Sequence, residues 1–188
     1  MRLLFACCYI GVATLAACAS PRETLYTLES PITAEQGAQA EGRPTVLVGP
    51  ISIPPMVDRP QLVIRQGSDQ VTTPEQQRWA APLKETLPRV LATELAVKKP
   101  ATRFAAYPSA ALNKLEGRII VDISRLDIVA GEGAVLEAHW IYKNAEGVKA
   151  AEGDVQLRER AAGANYGAYV AAMRAACVRL ADAIAERV

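Results

Sequence analysis

The amino-acid sequence predicts an α+β fold: an antiparallel β-sheet with two main helices packed on one face. Three observations lead there. Between Leu115 and Arg158, three long segments alternate apolar and polar residues and are separated by glycine-bearing turns, the pattern of an antiparallel meander. Leu83–Val97 and Asn165–Val188 instead repeat apolar residues at spacings of three and four, the period of an amphipathic helix. A sheet with helices gathered on one side is the layered arrangement that buries both kinds of apolar face.

The N-terminal segment follows different rules. Met1-Arg2 precedes an apolar run from Leu3 to Ala17, one charge followed by hydrophobic residues, as in an export signal. A membrane-spanning helix needs about 20 apolar residues, so the run is short for one. It stops at Leu15-Ala16-Ala17-Cys18, which looks like a bacterial lipobox, in which the cysteine thiol takes a diacylglycerol before cleavage. We expect a signal peptide over residues 1–17, a lipidated Cys18 with a tether through residue 23, and a single domain over residues 24–188. An ordinary cleaved signal with an incidental cysteine is the weaker reading, because the tetrapeptide sits where the apolar region ends. Five tether residues extend about 15–18 Å, which places the domain close to the bilayer.

Cysteine usage and charge narrow the function. Cys7 and Cys8 leave with the signal and Cys18 is consumed by lipid, so only Cys177 remains. No intramolecular disulfide can then form, even in an oxidising compartment. Cys177 lies on the apolar side of the last helix, where a buried structural thiol is expected. The chain has 21 basic and 20 acidic residues. Loss of Arg2 balances them, which argues against a nucleic-acid partner or a polybasic membrane patch.

Along the chain, Thr24–Leu28 reads as a first strand and residues 31–44 as a loop or disordered insert. Thr45–Pro55 reads as a second strand in which Gly49-Pro50 requires an edge position or a bulge. Met56–Pro60 is a loop. Gln61–Gln66, a turn at Gly67-Ser68-Asp69 and Gln70–Thr72 make a hairpin. Thr73-Pro74-Glu75-Gln76 has the form of a capping box with proline at the first helical position. Trp79, Leu83, Leu87, Val90, Leu91 and Leu95 then form an apolar face. Pro82 and Pro88 each cost about 3 kcal/mol in a helix interior, so a break is expected at Pro82 and the main helix at Leu83–Val97.

The strand Leu115–Ala130 changes apolar parity, from Ile119, Val121 and Ile123 to Leu126 and Ile128, which implies a bulge near Ser124-Arg125. Val135–Lys143 and Val148–Arg158 complete the meander. Tyr169, Met173, Cys177, Leu180 and Ile184 form the core stripe of the final helix.

Little in the sequence points to catalysis. His139 is the only histidine and shares a strand with Trp140 on the opposite, solvent-facing side. No Gly-x-Ser-x-Gly elbow accompanies it, and one histidine with one free cysteine lacks metal-ligand spacing. Gly131-Glu132-Gly133 lies between two strands, so it reads as a hairpin turn rather than a phosphate loop. Glu152 and Asp154 share a strand face as solvated charges. No catalytic residue, metal ligand or cofactor is therefore expected. The loop Pro54–Pro60 is stiffened by prolines; it reads equally as a rigid surface loop or a partner contact. Asp58-Arg59 would either brace it by an ion pair or present charges.

Several segments together resemble the PqiC family of ABC-type transport auxiliary lipoproteins. They are Leu25-Tyr26-Thr27-Leu28 after the lipobox; Val48-Gly49-Pro50-Ile51-Ser52-Ile53-Pro54; Asp58-Arg59-Pro60-Gln61-Leu62-Val63; and Arg78-Trp79-Ala80-Ala81-Pro82-Leu83 leading into Leu87-Pro88-Arg89-Val90-Leu91. The resemblance implies a non-enzymatic lipoprotein of the outer membrane's periplasmic face. It would dock the tunnel of an MCE-type phospholipid transport system, with an MCE-domain protein and its membrane partners as partners. It also implies a homo-oligomer, and Ala19 after the lipidated cysteine is consistent with outer-membrane sorting. On this view Met56, Asp58, Arg59 and neighbouring Trp79 belong to a partner or self-association surface. Two rivals stay open: an accessory lipoprotein of another envelope-assembly or secretion machine, and a lipid-binding or hydrolytic lipoprotein that works alone.

Overall fold

A computed structural model describes residues 22–29, 43–109 and 115–188. The export signal, Cys18 and nearly all of the expected 31–44 insert lie outside these residues. The described elements are β1 (Thr24–Tyr26), β2 (Thr45–Ser52), β3 (Ile64–Arg65), β4 (Val71–Thr72), β5 (Gln77–Trp79), α1 (Leu83–Lys98), β6 (Arg103–Ala106), β7 (Gly117–Val129), β8 (Gly133–Asn144), β9 (Lys149–Arg160) and α2 (Tyr166–Ala185).

The meander forms as its alternation predicts. β7 pairs antiparallel with β8 and β8 with β9. The register shifts between Ile123 and Arg125, so the expected bulge is present. It keeps Ile123, Leu126 and Ile128 all on the buried side, each at most 2% exposed.

The other edge of β7 is filled differently. β2 pairs parallel with the first half of β7, Val48 opposite Ile119, and β3 pairs parallel with its end, Ile64 opposite Ile128. β6 lies parallel beyond β2, and β4 closes a hairpin with β3. The sheet is therefore mixed, with its longest pairings antiparallel. β2 is an interior strand, and Gly49-Pro50 falls at a register shift between Val48 and Ile51. Of the two options the sequence allowed, it is the bulge.

One expectation is corrected. Thr73–Gln76 does not open a helix; α1 begins at Leu83 with Pro82 as its N-cap. Gln77–Trp79 is instead a strand, paired parallel with β1 in a small second sheet. The capping-box signal is local, whereas Leu62 N–H and Thr24 N–H donate to the carbonyls of Gln77 and Gln76 at 2.9 and 2.7 Å. These longer-range bonds hold the backbone extended. Trp79 consequently leaves the helical face it was assigned to. Several strands are also shorter than expected: β3 keeps only Ile64–Arg65 of Gln61–Gln66, β1 only Thr24–Tyr26, and β2 ends at Ser52 rather than Pro55, with β4 and β7 trimmed by a residue or two at their ends.

Both helices cover the same sheet face, α1 against β2 and β6 and α2 against β8 and β9, and they also pack on each other. Leu83, Leu87, Val90, Leu91 and Leu95 are buried as the spacing predicts, each burial contributing roughly 1.5–3 kcal/mol. Pro88 lies inside α1, where it removes a bond to the carbonyl of Lys84. In α2, Asn165 caps the first turn by accepting from the Ala168 N–H at 2.9 Å. The stripe Tyr169, Met173, Cys177, Leu180 and Ile184 is buried as expected. Arg174 stays at its margin and donates to the carbonyls of Leu28 and Thr27 at 3.0 and 2.9 Å, which fastens the N-terminal segment to α2.

Candidate functional site

The segment between β2 and β3 leaves the sheet and returns to the same edge of β7. Buried residues peg it down at both ends and in the middle: Ile53, Val57, Leu62 and Val63, with Leu62 at 0% exposure. Its turns are closed by Val57 N–H to Pro54 O (3.1 Å), Asp58 N–H to Pro55 O (3.3 Å) and Arg59 N–H to Val57 O (2.9 Å). Met56 is half-buried against the core, while Asp58, Arg59 and Pro60 project into solvent.

β5 crosses beside this loop. The Trp79 N–H donates to Pro60 O at 2.7 Å, and the Ala80 N–H donates to Tyr26 O at 2.8 Å. Gln61 bridges antiparallel to Arg78. The Trp79 indole is 8% exposed and belongs to the main core. Tyr26, opposite Trp79 in β1, donates its hydroxyl to Gln77 Oε1 at 2.8 Å. Burial, and then Tyr166, push its phenol above the ordinary value.

The result is an open cleft of about 290 Å³ between Asp58-Arg59-Pro60 and the run Trp79–Leu83. Of the residues singled out from sequence, the structure brings Asp58, Arg59 and Trp79 to one cleft and sets Met56 beneath the loop. Asp58 is held by Lys84 at 2.6 Å, so its charge braces the loop against α1. The Arg59 side chain has no hydrogen bond or ion pair among the described residues, so its charge is unanswered there. Sequence reasoning missed Lys84 and the wall Ala80–Pro82, which the supposed kinked helix would have placed on a helical surface. The proline at 82, read as a break, was the available signal that the chain is extended there.

A larger hollow of about 500 Å³ lies at the β7–β8 turn, between Val129–Val135 and Arg158–Ala161. The Ala161 N–H closes it onto Glu132 O at 2.9 Å. Its walls are mostly turn backbone and charged strand ends, with no converging reactive groups.

The helix-free face of the sheet is charged. Asp127, 4% exposed, accepts from Arg65 Nε at 2.9 Å and Arg125 Nε at 2.7 Å. Burial alone would raise the Asp127 pKa, but the hydrogen bonds and charges of the two arginines outweigh it and hold the carboxyl below its ordinary value. Arg125 also reaches Glu137 at 3.4 Å. His139 emerges on this face, as expected, with Nδ1 2.9 Å from Asp154 Oδ1 and Nε2 4.0 Å from Glu152 Oε2. These carboxylates flank the imidazole in the open, and no serine or cysteine among the described residues is bonded to them.

Residues 26–185 match the family described as ABC-type transport auxiliary lipoprotein component. The chain belongs to that family. Its fold recurs in a solved structure of an uncharacterized protein at 15% identity, covering 88% of this chain and 97% of that one with a TM-score of 0.72. Protein XCC0632 from Xanthomonas campestris, described as DUF330, shares it at 16% identity over 86% of this chain and 92% of that one, TM-score 0.64. PelC from Paraburkholderia phytofirmans, crystallised as a dodecamer, aligns at 8% identity over 77% and 86%, with a TM-score of 0.45. No curated protein matches the chain. As an ABC-type transport auxiliary lipoprotein, the chain belongs with auxiliary transport components. No helix among its described residues is long and apolar enough to cross a membrane.

Proposed function

We propose that the protein is held by a lipidated Cys18 at the periplasmic face of the outer membrane and serves an MCE-type phospholipid transport system, docking its periplasmic tunnel. The observation that carries this reading is the family match over residues 26–185, beginning shortly after the Leu15–Cys18 lipobox. A signal peptide of residues 1–17 delivers the chain, and the single domain over residues 24–188 works without a cofactor or catalytic residue of its own.

In this role the body presents a contact surface while the anchor supplies membrane residence. Acyl burial contributes about 0.8 kcal/mol per CH₂, and stable attachment needs more than one chain. The exposed loop with Asp58 and Arg59, supported by Met56 and Trp79, is the partner or self-association surface, and the protein acts as a homo-oligomer. Affinity purification of the full-length protein from detergent-solubilised envelopes tests the reading. An MCE-domain protein with its membrane partners should appear by mass spectrometry. A preparation that carries other assembly machinery, or none, would overturn it.

A further inference from the structure

The cleft beside Trp79 combines three properties that single out one kind of occupant. Its interior is apolar, walled by Pro60, Trp79, Ala81 and Leu83, and its volume of about 290 Å³ is at the small end of ligand pockets, roughly 300–1,000 Å³. Such a space suits part of one hydrocarbon chain better than a whole two-tailed lipid. Arg59 lines the cleft and is exposed, its guanidinium without a hydrogen bond or ion pair among the described residues, whereas the neighbouring Asp58 charge is answered by Lys84. An apolar interior with an uncompensated cation at its rim complements an amphiphile with an anionic head.

The main chain argues against a peptide strand. Both edges of β5 are already taken, by β1 on one side and the Gln61 bridge on the other. The N–H groups of Leu62, Trp79 and Ala80 are bonded internally, so the cleft offers little ladder for an added strand.

Position supplies the third argument, which rests on the anchoring proposed above. β5 is paired residue by residue with β1, Leu25 opposite Arg78 and Tyr26 opposite Trp79. β1 begins at Thr24, and the six residues back to Cys18 can span at most about 20 Å, so the wall of the cleft is tied to the element nearest the anchor in sequence. Leu25, 59% exposed, is the large apolar side chain left in solvent on β1.

We propose that this cleft receives one acyl tail of a membrane phospholipid, with the Arg59 guanidinium at the lipid phosphate. The domain then touches lipid through its own body as well as through its anchor.

The test uses the full-length protein in vesicles of phosphatidylethanolamine and phosphatidylglycerol doped with a phospholipid bearing a diazirine in one tail. After irradiation, labelled peptides are mapped by mass spectrometry. Label should concentrate on Arg59–Pro60 and Trp79–Leu83, disappear in Ala81→Trp, which fills the cleft, and fall in Arg59→Glu. Label confined to the residues around Cys18, label spread evenly over the surface, or an unchanged pattern in Ala81→Trp overturns the proposal. An unlabelled cleft that crosslinks to a co-purified envelope protein does the same. Arg59 is exposed, so Arg59→Glu keeps the test decisive should Ala81→Trp fail to fold. The mass of the Cys18 peptide separates the two readings. Unlipidated Cys18 with a labelled cleft supports the cleft assignment and overturns the anchor; lipidated Cys18 with an unlabelled cleft does the reverse.

Discussion

Gly153 on β9 stands directly opposite Trp140 on β8, and a Cβ there would lie 3.0 Å from the indole atoms Cε2, Cζ2 and Nε1. Trp140 is 1% exposed, and its Nε1 has no hydrogen-bond partner among the described residues. The glycine thus makes room for one of the two tryptophans of the core. Gly153→Ala should cost about 1–3 kcal/mol by overpacking, read as a lower midpoint in denaturant. Adding Trp140→Phe to the alanine variant should cost less than Trp140→Phe alone. Additive losses in the double-mutant cycle would separate the two residues.

Asp127 gives a pH dependence with a definite sign. Its folded pKa lies below the ordinary carboxylate value despite burial, because Arg65 and Arg125 hydrogen-bond to the charged form. A depressed folded pKa contributes stability that is present above the unfolded pKa and is lost as pH falls through the folded one. Asp127→Asn should therefore be destabilised at neutral pH by roughly 1.5–3 kcal/mol, the size of hydrogen bonds to charged groups. Urea titrations should show that deficit shrinking in strong acid. A deficit that is constant with pH would assign the effect to packing.

Cys177 is expected to be inert. Burial first, then the nearby Glu94 charge, push its thiol pKa up to about 12, so almost no thiolate exists at neutral pH. A maleimide should label the folded protein's Cys177 only at the rate of unfolding and should label it at once in denaturant. Rapid native labelling would show that α2 opens locally.

The cap on α2 is a smaller matter. Asn165→Ala removes the 2.9 Å bond to the Ala168 N–H and should cost about 0.5–2 kcal/mol. Asn165→Asp should restore most of it.

The Asp58–Lys84 pair is exposed, and such pairs contribute about 0–1 kcal/mol. Charge reversal at Asp58 and Arg59 should leave the melting curve almost unchanged and weaken co-purification with the MCE-domain protein proposed as partner. Unaltered recovery would remove this loop from the contact surface.

What could be read from sequence follows the range of the interactions involved. The meander, its bulge and both main helices rest on periodicity within one element, so alternation and 3.6-residue spacing reveal them. β5 depends on Tyr26 and Gln61, far along the chain or across a loop, and its local capping-box pattern points elsewhere. β6 has only Arg103-Phe104-Ala105-Ala106, without alternation, and exists because β2 offers it an edge. Prolines mark the loop with Asp58 and Arg59 as stiff, but only the family resemblance groups Trp79 with it. Their actual meeting, and the part played by Lys84 and Ala81, needed the path of the chain through Pro82.

The loop that bears the cleft is suspended between β2 and β3, and both are held by β7. Those supports are distant in sequence: Ser52 meets Asp122 across 70 residues and Arg65 meets Asp127 across 62. Contacts of such separation close slowly, because chain entropy is lost before they are made. In a chain that emerges N-terminus first, the attachment of both ends of that loop to the sheet must wait for β7, whereas β7, β8 and β9 can pair as soon as they appear. A stalled or truncated chain ending before Gly117 would possess every residue of the cleft but not the β7 edge from which its loop is hung.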